Sequence, residues 1–162
     1  MPSAALSKLS APQLGVFHSA LGYEIDAAST GWTAGDPPEG HRYIQAVYRG
    51  PAPLDGRGAP AMLTVRADRL ERPVSLERYV RKWQKEYPKY GFDVIGSKTF
   101  VQNKTRGYVL DLLNRDGRKQ LRQVVFLRKK DAIILTCRDQ IATFKKALAG
   151  CNQIIRSFRW TE

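Results

Sequence analysis

The chain has 162 residues, 43% hydrophobic and 26% charged, the make-up of an ordinary globular domain large enough to bury a core. No apolar run is long enough to cross a bilayer as a helix. The net charge is +12, and it is unevenly spread: residues 1–59 hold four basic and five acidic side chains, residues 60–162 hold 23 and 10.

A basic body of this kind suits anionic partners: nucleic acid, an acidic protein or a lipid surface. A solvated Lys/Arg surface with no partner would have the same composition.

Residues 1–15 read as a flexible lead-in and residues 16–162 as a single domain. The N-terminus has neither the basic head nor the apolar block of a signal peptide. The chain is therefore read either as cytoplasmic or as a mature exported chain carrying an added methionine. Val16-Phe17-His18 is a short strand, and Leu21 to Asp26 alternates as a better one, with Tyr23 and Ile25 on one face. Trp32 follows a Gly break as an anchor. Gly35 to Gly40, with Pro37-Pro38, is a loop. Tyr43 to Tyr48 is a strand, Gly50 to Pro60 a long exposed loop, and Met62 to Ala67 the next strand.

Val74-Ser75 opens a helix expected over residues 75–88. Its apolar stripe is Leu76, Tyr79, Val80, Trp83 and Tyr87, and Pro88 ends it. The outer face carries Arg78, Arg81, Lys82, Lys85 and Lys89, with Tyr90 at the end. Glu77 and Glu86 are placed to pair with Arg81 and Lys82 at i,i+4 spacing. This face is the candidate binding site of the chain. The aromatics lie on the inner stripe, not among the cations, which argues against single-strand base stacking.

Phe92 to Val101 is a strand with a bulge or bend at Gly96-Ser97. Tyr108 to Leu113 and Gln120 to Leu127 form a hairpin about Asp116-Gly117, expected as a type I′ turn. That register pairs Asp111 with Arg122, Leu112 with Leu121 and Tyr108 with Val125. Lys129-Lys130-Asp131 turns the chain into Ala132 to Cys137, a buried strand. A second helix spans 141–157, with a core stripe of Ile141, Phe144, Leu148, Cys151, Ile155 and Phe158 and with Asp139 as its N-terminal cap. The order of elements gives an α+β fold: an antiparallel sheet of about six or seven strands with helices on its faces.

No phosphate loop, metal-ligand spacing, nucleophile elbow or carboxylate pair stands out. Neither His18 nor His41 has metal-ligand spacing to the other or to a cysteine. The reading is no catalytic residues, no metal, no cofactor and no enzyme. For the cysteines, a helix starting near Ile141 carries Cys151 about 15 Å along its axis, over Ile133 and not over Cys137. Two buried free thiols are favoured. A kink at Gly150 or a later helix start would permit a bridge.

Phe17-His18-Ser19-Ala20-Leu21-Gly22-Tyr23-Glu24-Ile25-Asp26 followed by Gly31-Trp32 resembles the opening of the PsbP/DcrB-like proteins. Ile133 to Cys137, then a helix ending Ile154-Ile155-Arg156-Ser157-Phe158, resembles their close. The order of elements between is also similar, so the resemblance spans most of residues 16–160. It implies an antiparallel sheet sandwiched by helices and a non-enzymatic accessory role, since members serve as photosystem accessory proteins, envelope lipoproteins and a GTPase-binding import factor. It also tips the compartment toward the bacterial periplasm or envelope. No lipoprotein cysteine lies near the N-terminus. The resulting expectation is a binding module with a protein partner. Its alternative is phosphate-driven binding of nucleic acid or another polyanion through the basic face.

Overall fold

The structure is a computed structural model that describes residues 16–52 and 58–161. The expected lead-in, and residues 53–57 of the expected Gly50–Pro60 loop, lie outside the described residues.

Among the described residues, ten strands and two α-helices run in the order β1 (Val16–Ser19), β2 (Tyr23–Asp26), β3 (Thr33–Gly35), β4 (Ile44–Arg49), β5 (Met62–Arg69), α1 (Leu76–Glu86), a 3₁₀ turn (Tyr87–Tyr90), β6 (Phe92–Gln102), β7 (Thr105–Asn114), β8 (Lys119–Arg128), β9 (Asp131–Gln140), α2 (Ile141–Ser157) and β10 (Arg159–Trp160). Seven strands form one antiparallel sheet in the order β3-β4-β5-β9-β8-β7-β6. This is the expected α+β fold. Two strands lay outside the sequence reading: β3, beside Trp32, and β10, which joins β1 and β2 in a small three-stranded sheet.

Alternation along the strands divides the core in two. On β9, Ile133, Leu135 and Cys137 face α2 and the small sheet, while Ala132 and Ile134 face α1. The α2 side holds the aromatic stack. Phe126 and Phe158 lie parallel with ring centroids 4.0 Å apart, and Tyr23 stacks on Phe158 at 5.3 Å. Gly107 is required beneath them, because a Cβ there would come within 2.5 Å of Phe100 and 2.9 Å of Phe126. The α1 side collects Leu76, Tyr79, Val80 and Tyr87 over Leu110, Leu112, Leu121 and Val125.

The β7–β8 register is the expected one, with Asp111 opposite Arg122, Leu112 opposite Leu121 and Tyr108 opposite Val125. The turn is not type I′. Asn114 Oδ1 accepts from the Asp116 and Gly117 N–H groups at 3.0 and 2.7 Å, and the positive φ falls on Arg118. A pair of left-handed residues occurs instead at Asn103-Lys104, between β6 and β7. On β6, the register shift between Val94 and Gly96 makes Ile95 the bulged residue.

Ser75 caps α1, accepting from the Arg78 N–H at 3.1 Å. The α-helix stops at Glu86, and Pro88 sits in the 3₁₀ turn that leads to Gly91, φ 88°. At α2 the cap is Gln140 and makes no side-chain cap bond; Asp139 belongs to β9 and accepts from Thr143 Oγ1 at 2.7 Å.

The cysteines are corrected outright: Cys137 and Cys151 form a disulfide with Cα atoms 6.0 Å apart. The strand does not end at Cys137 but continues to Gln140, paired with Lys119 to Leu121. Cys137 to Ile141 is therefore about 13 Å of extended chain. Ten helical residues return about 15 Å, which brings Cys151 back over Cys137.

Candidate binding site

Arg78, Arg81, Lys82, Lys85 and Lys89 are all exposed on one side of α1 and the turn after it. They recur at +3, +1, +3 and +4, the neighbour spacing of a helix surface. Arg78 and Lys89 are eleven positions apart, about 16 Å at helical rise.

The two carboxylates expected to pair with Arg81 and Lys82 take other partners, one of them Lys89 of the same row. Glu77 pairs with Arg106 of β7, and Glu86 pairs with Lys89 at 3.4 Å, not with Lys82. Hydrogen bonding to backbone, with Arg106 and Arg81 beside it, holds the Glu77 carboxyl below its usual range. Among the described residues, Arg78, Arg81, Lys82 and Lys85 take part in no ion pair. Tyr90, 67% exposed, stands at the end of the row.

The inner side of α1 fixes how this row is presented. Tyr79 donates to Asp68 Oδ2 at 2.7 Å, Tyr87 donates to Gln123, and the Arg66 guanidinium lies 5.6 Å from the Trp83 ring centroid. Burial pushes the Tyr79 and Tyr87 hydroxyls up, and at Tyr79 the Asp68 carboxylate pushes the same way. Trp83 Nε1 is buried without a hydrogen-bond partner among the described residues. Three polar contacts and an apolar stripe thus set the helix at one rotation.

His18 makes an ion-pair contact at the small sheet. It faces Glu24 across β1 and β2 with Nδ1 3.0 Å from Oε2, and Glu24 also meets Arg159 of β10. The missed signal is β10 itself, two residues too short to show a period. Among the described residues no cluster of three or more His, Cys, Asp or Glu is placed to hold a metal ion. No described helix is long and apolar enough to cross a membrane.

A seven-stranded antiparallel sheet between two helices, closed at one end by a small sheet, is a PsbP-like sandwich. The solution structure of CyanoP, the cyanobacterial PsbP of Synechocystis, superposes with a TM-score of 0.64 at 13% identity, over 90% of this chain and 91% of that one. A Pseudomonas aeruginosa protein of unknown function superposes with a TM-score of 0.62 at 19% identity, over 78% of this chain and 94% of that one. The sequence matches no family model and no curated protein. At these identities the likeness is one of fold. It names no partner.

Proposed function

We propose that this protein is a non-enzymatic accessory module of the bacterial envelope that docks an acidic protein partner on the outer face of α1. The observation that carries this is the row Arg78, Arg81, Lys82 and Lys85. Four cations stand exposed and outside every ion pair among the described residues, on a helix held at a fixed rotation. Rigid elements present a charge pattern without ordering cost, and complementary charge favours encounter and register. The buried Cys137–Cys151 disulfide supports an oxidising compartment.

The test is an affinity pull-down from the native organism, comparing the wild-type chain with one in which Arg78, Arg81, Lys82 and Lys85 are all changed to Glu. Loss of one defined partner in the variant is expected. A partner retained at wild-type level refutes the α1 surface, and turnover of a small substrate by pure protein refutes the accessory reading.

The polyanion alternative draws on the same row together with Tyr90. It requires binding to duplex DNA or RNA that weakens with salt, with a log–log slope of about −0.9 per phosphate contact on duplex DNA. Absence of any gel shift at low salt removes it.

A further inference from the structure

The geometry points to a second, separate site: a groove between the start of α2 and the β6–β7–β8 end of the sheet that takes a medium-chain alkyl carboxylate. The groove is open to solvent and has a volume of about 360 Å³, within the range of small-molecule sites. Ile95, Ile141, Phe144 and Leu148 make its apolar walls, and Gln120, Lys145 and the Asp111–Arg122 pair its polar ones.

Two features that are odd when taken singly meet here, over an ion pair. Ile141 begins the core stripe of α2, yet it is 46% exposed; the stripe starts beyond the part of the sheet that the helix covers. Ile95 is the bulged residue of β6 and is 51% exposed. Bulges re-aim a side chain, and this one faces the groove. At the floor, Arg122 grips Asp111 through two hydrogen bonds, Nε to Oδ1 at 2.8 Å and Nη2 to Oδ2 at 3.1 Å.

The charge selects the ligand. Asp111 is neutralised by Arg122, so the uncompensated charge of the lining is the Lys145 ammonium. Lys98 pairs with the buried Val109 across β6 and β7, and so lies on the same face of the sheet. An apolar chain would lie against Ile95, Ile141 and Leu148, with its carboxylate taken by Lys145 and the Gln120 amide. An alkylammonium of the same length would meet Lys145 with like charge.

The inference does not rest on the α1 surface, which is on the opposite face of the sheet. Its test is an NMR titration of the full oxidised chain with decanoate below its aggregation threshold, alongside decylamine, decanol and hexanoate. Saturable shifts at Ile95, Ile141 and Phe144 are expected. Decylamine should bind at least tenfold more weakly than decanoate. Each buried methylene is worth a factor of about four, so hexanoate should fall by more than tenfold. Lys145→Glu should weaken decanoate about tenfold and leave decanol unchanged. Ile141→Glu, on an exposed position, should abolish binding of both while circular dichroism stays native; Ile95→Glu gives a second such variant. The charge-reversed α1 variant should bind decanoate as wild type does. No saturable shift, shifts scattered over the surface, or equal affinity for decanoate and decylamine overturns the assignment. So does undiminished binding by both folded isoleucine variants.

Discussion

Replacing a helix-interior glycine with alanine ordinarily stabilises a protein by about 1 kcal/mol. At Gly150 the sign should reverse. A Cβ built there falls 2.1 Å from Trp32 Nε1, 2.8 Å from Cε2 and 3.0 Å from Cδ1. Gly50 approaches the same ring, where a Cβ would stand 3.1 Å from Trp32 Cζ2. Overpacking of this kind costs about 1–3 kcal/mol, and a wedged aromatic ring belongs at the upper end. Setting about 3 kcal/mol against the propensity gain of about 1 leaves Gly150→Ala destabilised by about 2 kcal/mol. The assay is urea unfolding of the oxidised protein followed by far-ultraviolet circular dichroism, which does not depend on Trp32 fluorescence. The decisive arm is the double variant. In a Trp32→Ala background the obstacle is gone, and Gly150→Ala should then recover about 1 kcal/mol, a coupling of about 3 kcal/mol between two side chains in contact. A wild-type background in which Gly150→Ala raises the midpoint would show that Trp32 does not occupy this site.

Cys137 and Cys151 are 14 positions apart, so changing both to Ala should cost about 3 kcal/mol, as expected for a loop of about 15 residues. The intact mass of the unreduced chain should be about two daltons below that of the dithiol, and an equal mass contradicts the bridge. Burial raises the hydroxyls of Tyr23, Tyr48, Tyr79 and Tyr87, at Tyr48 to about 12. Between the ordinary tyrosine value near 10 and these raised values the folded state holds protons the unfolded state has lost, so stability must fall as pH rises through that window. These four should ionise together with loss of near-ultraviolet dichroism, and their smooth, independent titration in folded protein would refute their burial. Phe158→Ala should cost about 3–5 kcal/mol by thermal melting, since it empties the stack on Phe126 and Tyr23.

What the sequence made legible was the part governed by period. The short loop at Asp116-Gly117 between two apolar runs set a register that could slip by one only by turning a whole strand face over, and the stripes of Trp83 and Phe144 placed both helices. The turn chemistry was less legible, because it was decided by one side chain. Asn114 caps the loop N–H groups itself, which moves the left-handed residue from the Asp-Gly pair to Arg118. The disulfide was hidden for a related reason. Arg138, Asp139 and Gln140 are polar and look like the end of a strand, yet they remain paired with β8. Three residues of extended chain shift a returning helix by about 10 Å, enough to turn a rejected bridge into a formed one. The basic row was visible as a pattern of residue types. That its glutamates would be diverted was not, because Arg106 lies 29 positions from Glu77 and meets it only through the packing of α1 on β7.

The two faces of the sheet are built for different ends. The α2 side carries the disulfide, the aromatic stack and the small sheet, so a covalent tie and broad aromatic burial dominate its stability. The α1 side has an eleven-residue helix, a length that is marginal alone. It is placed by directional contacts: the Tyr79 hydroxyl on Asp68, Tyr87 on Gln123 and Arg66 beside Trp83. Directional contacts contribute less free energy than burial but fix rotation. A helix that had only to complete the core could use Phe in place of both tyrosines. Hydrogen-bonded tyrosines against the sheet instead determine which residues point outward, and here those residues are Arg78, Arg81, Lys82 and Lys85. The polar contacts beneath the helix and the row of cations above it are two sides of one arrangement, and the rotation that satisfies the first is the one that displays the second.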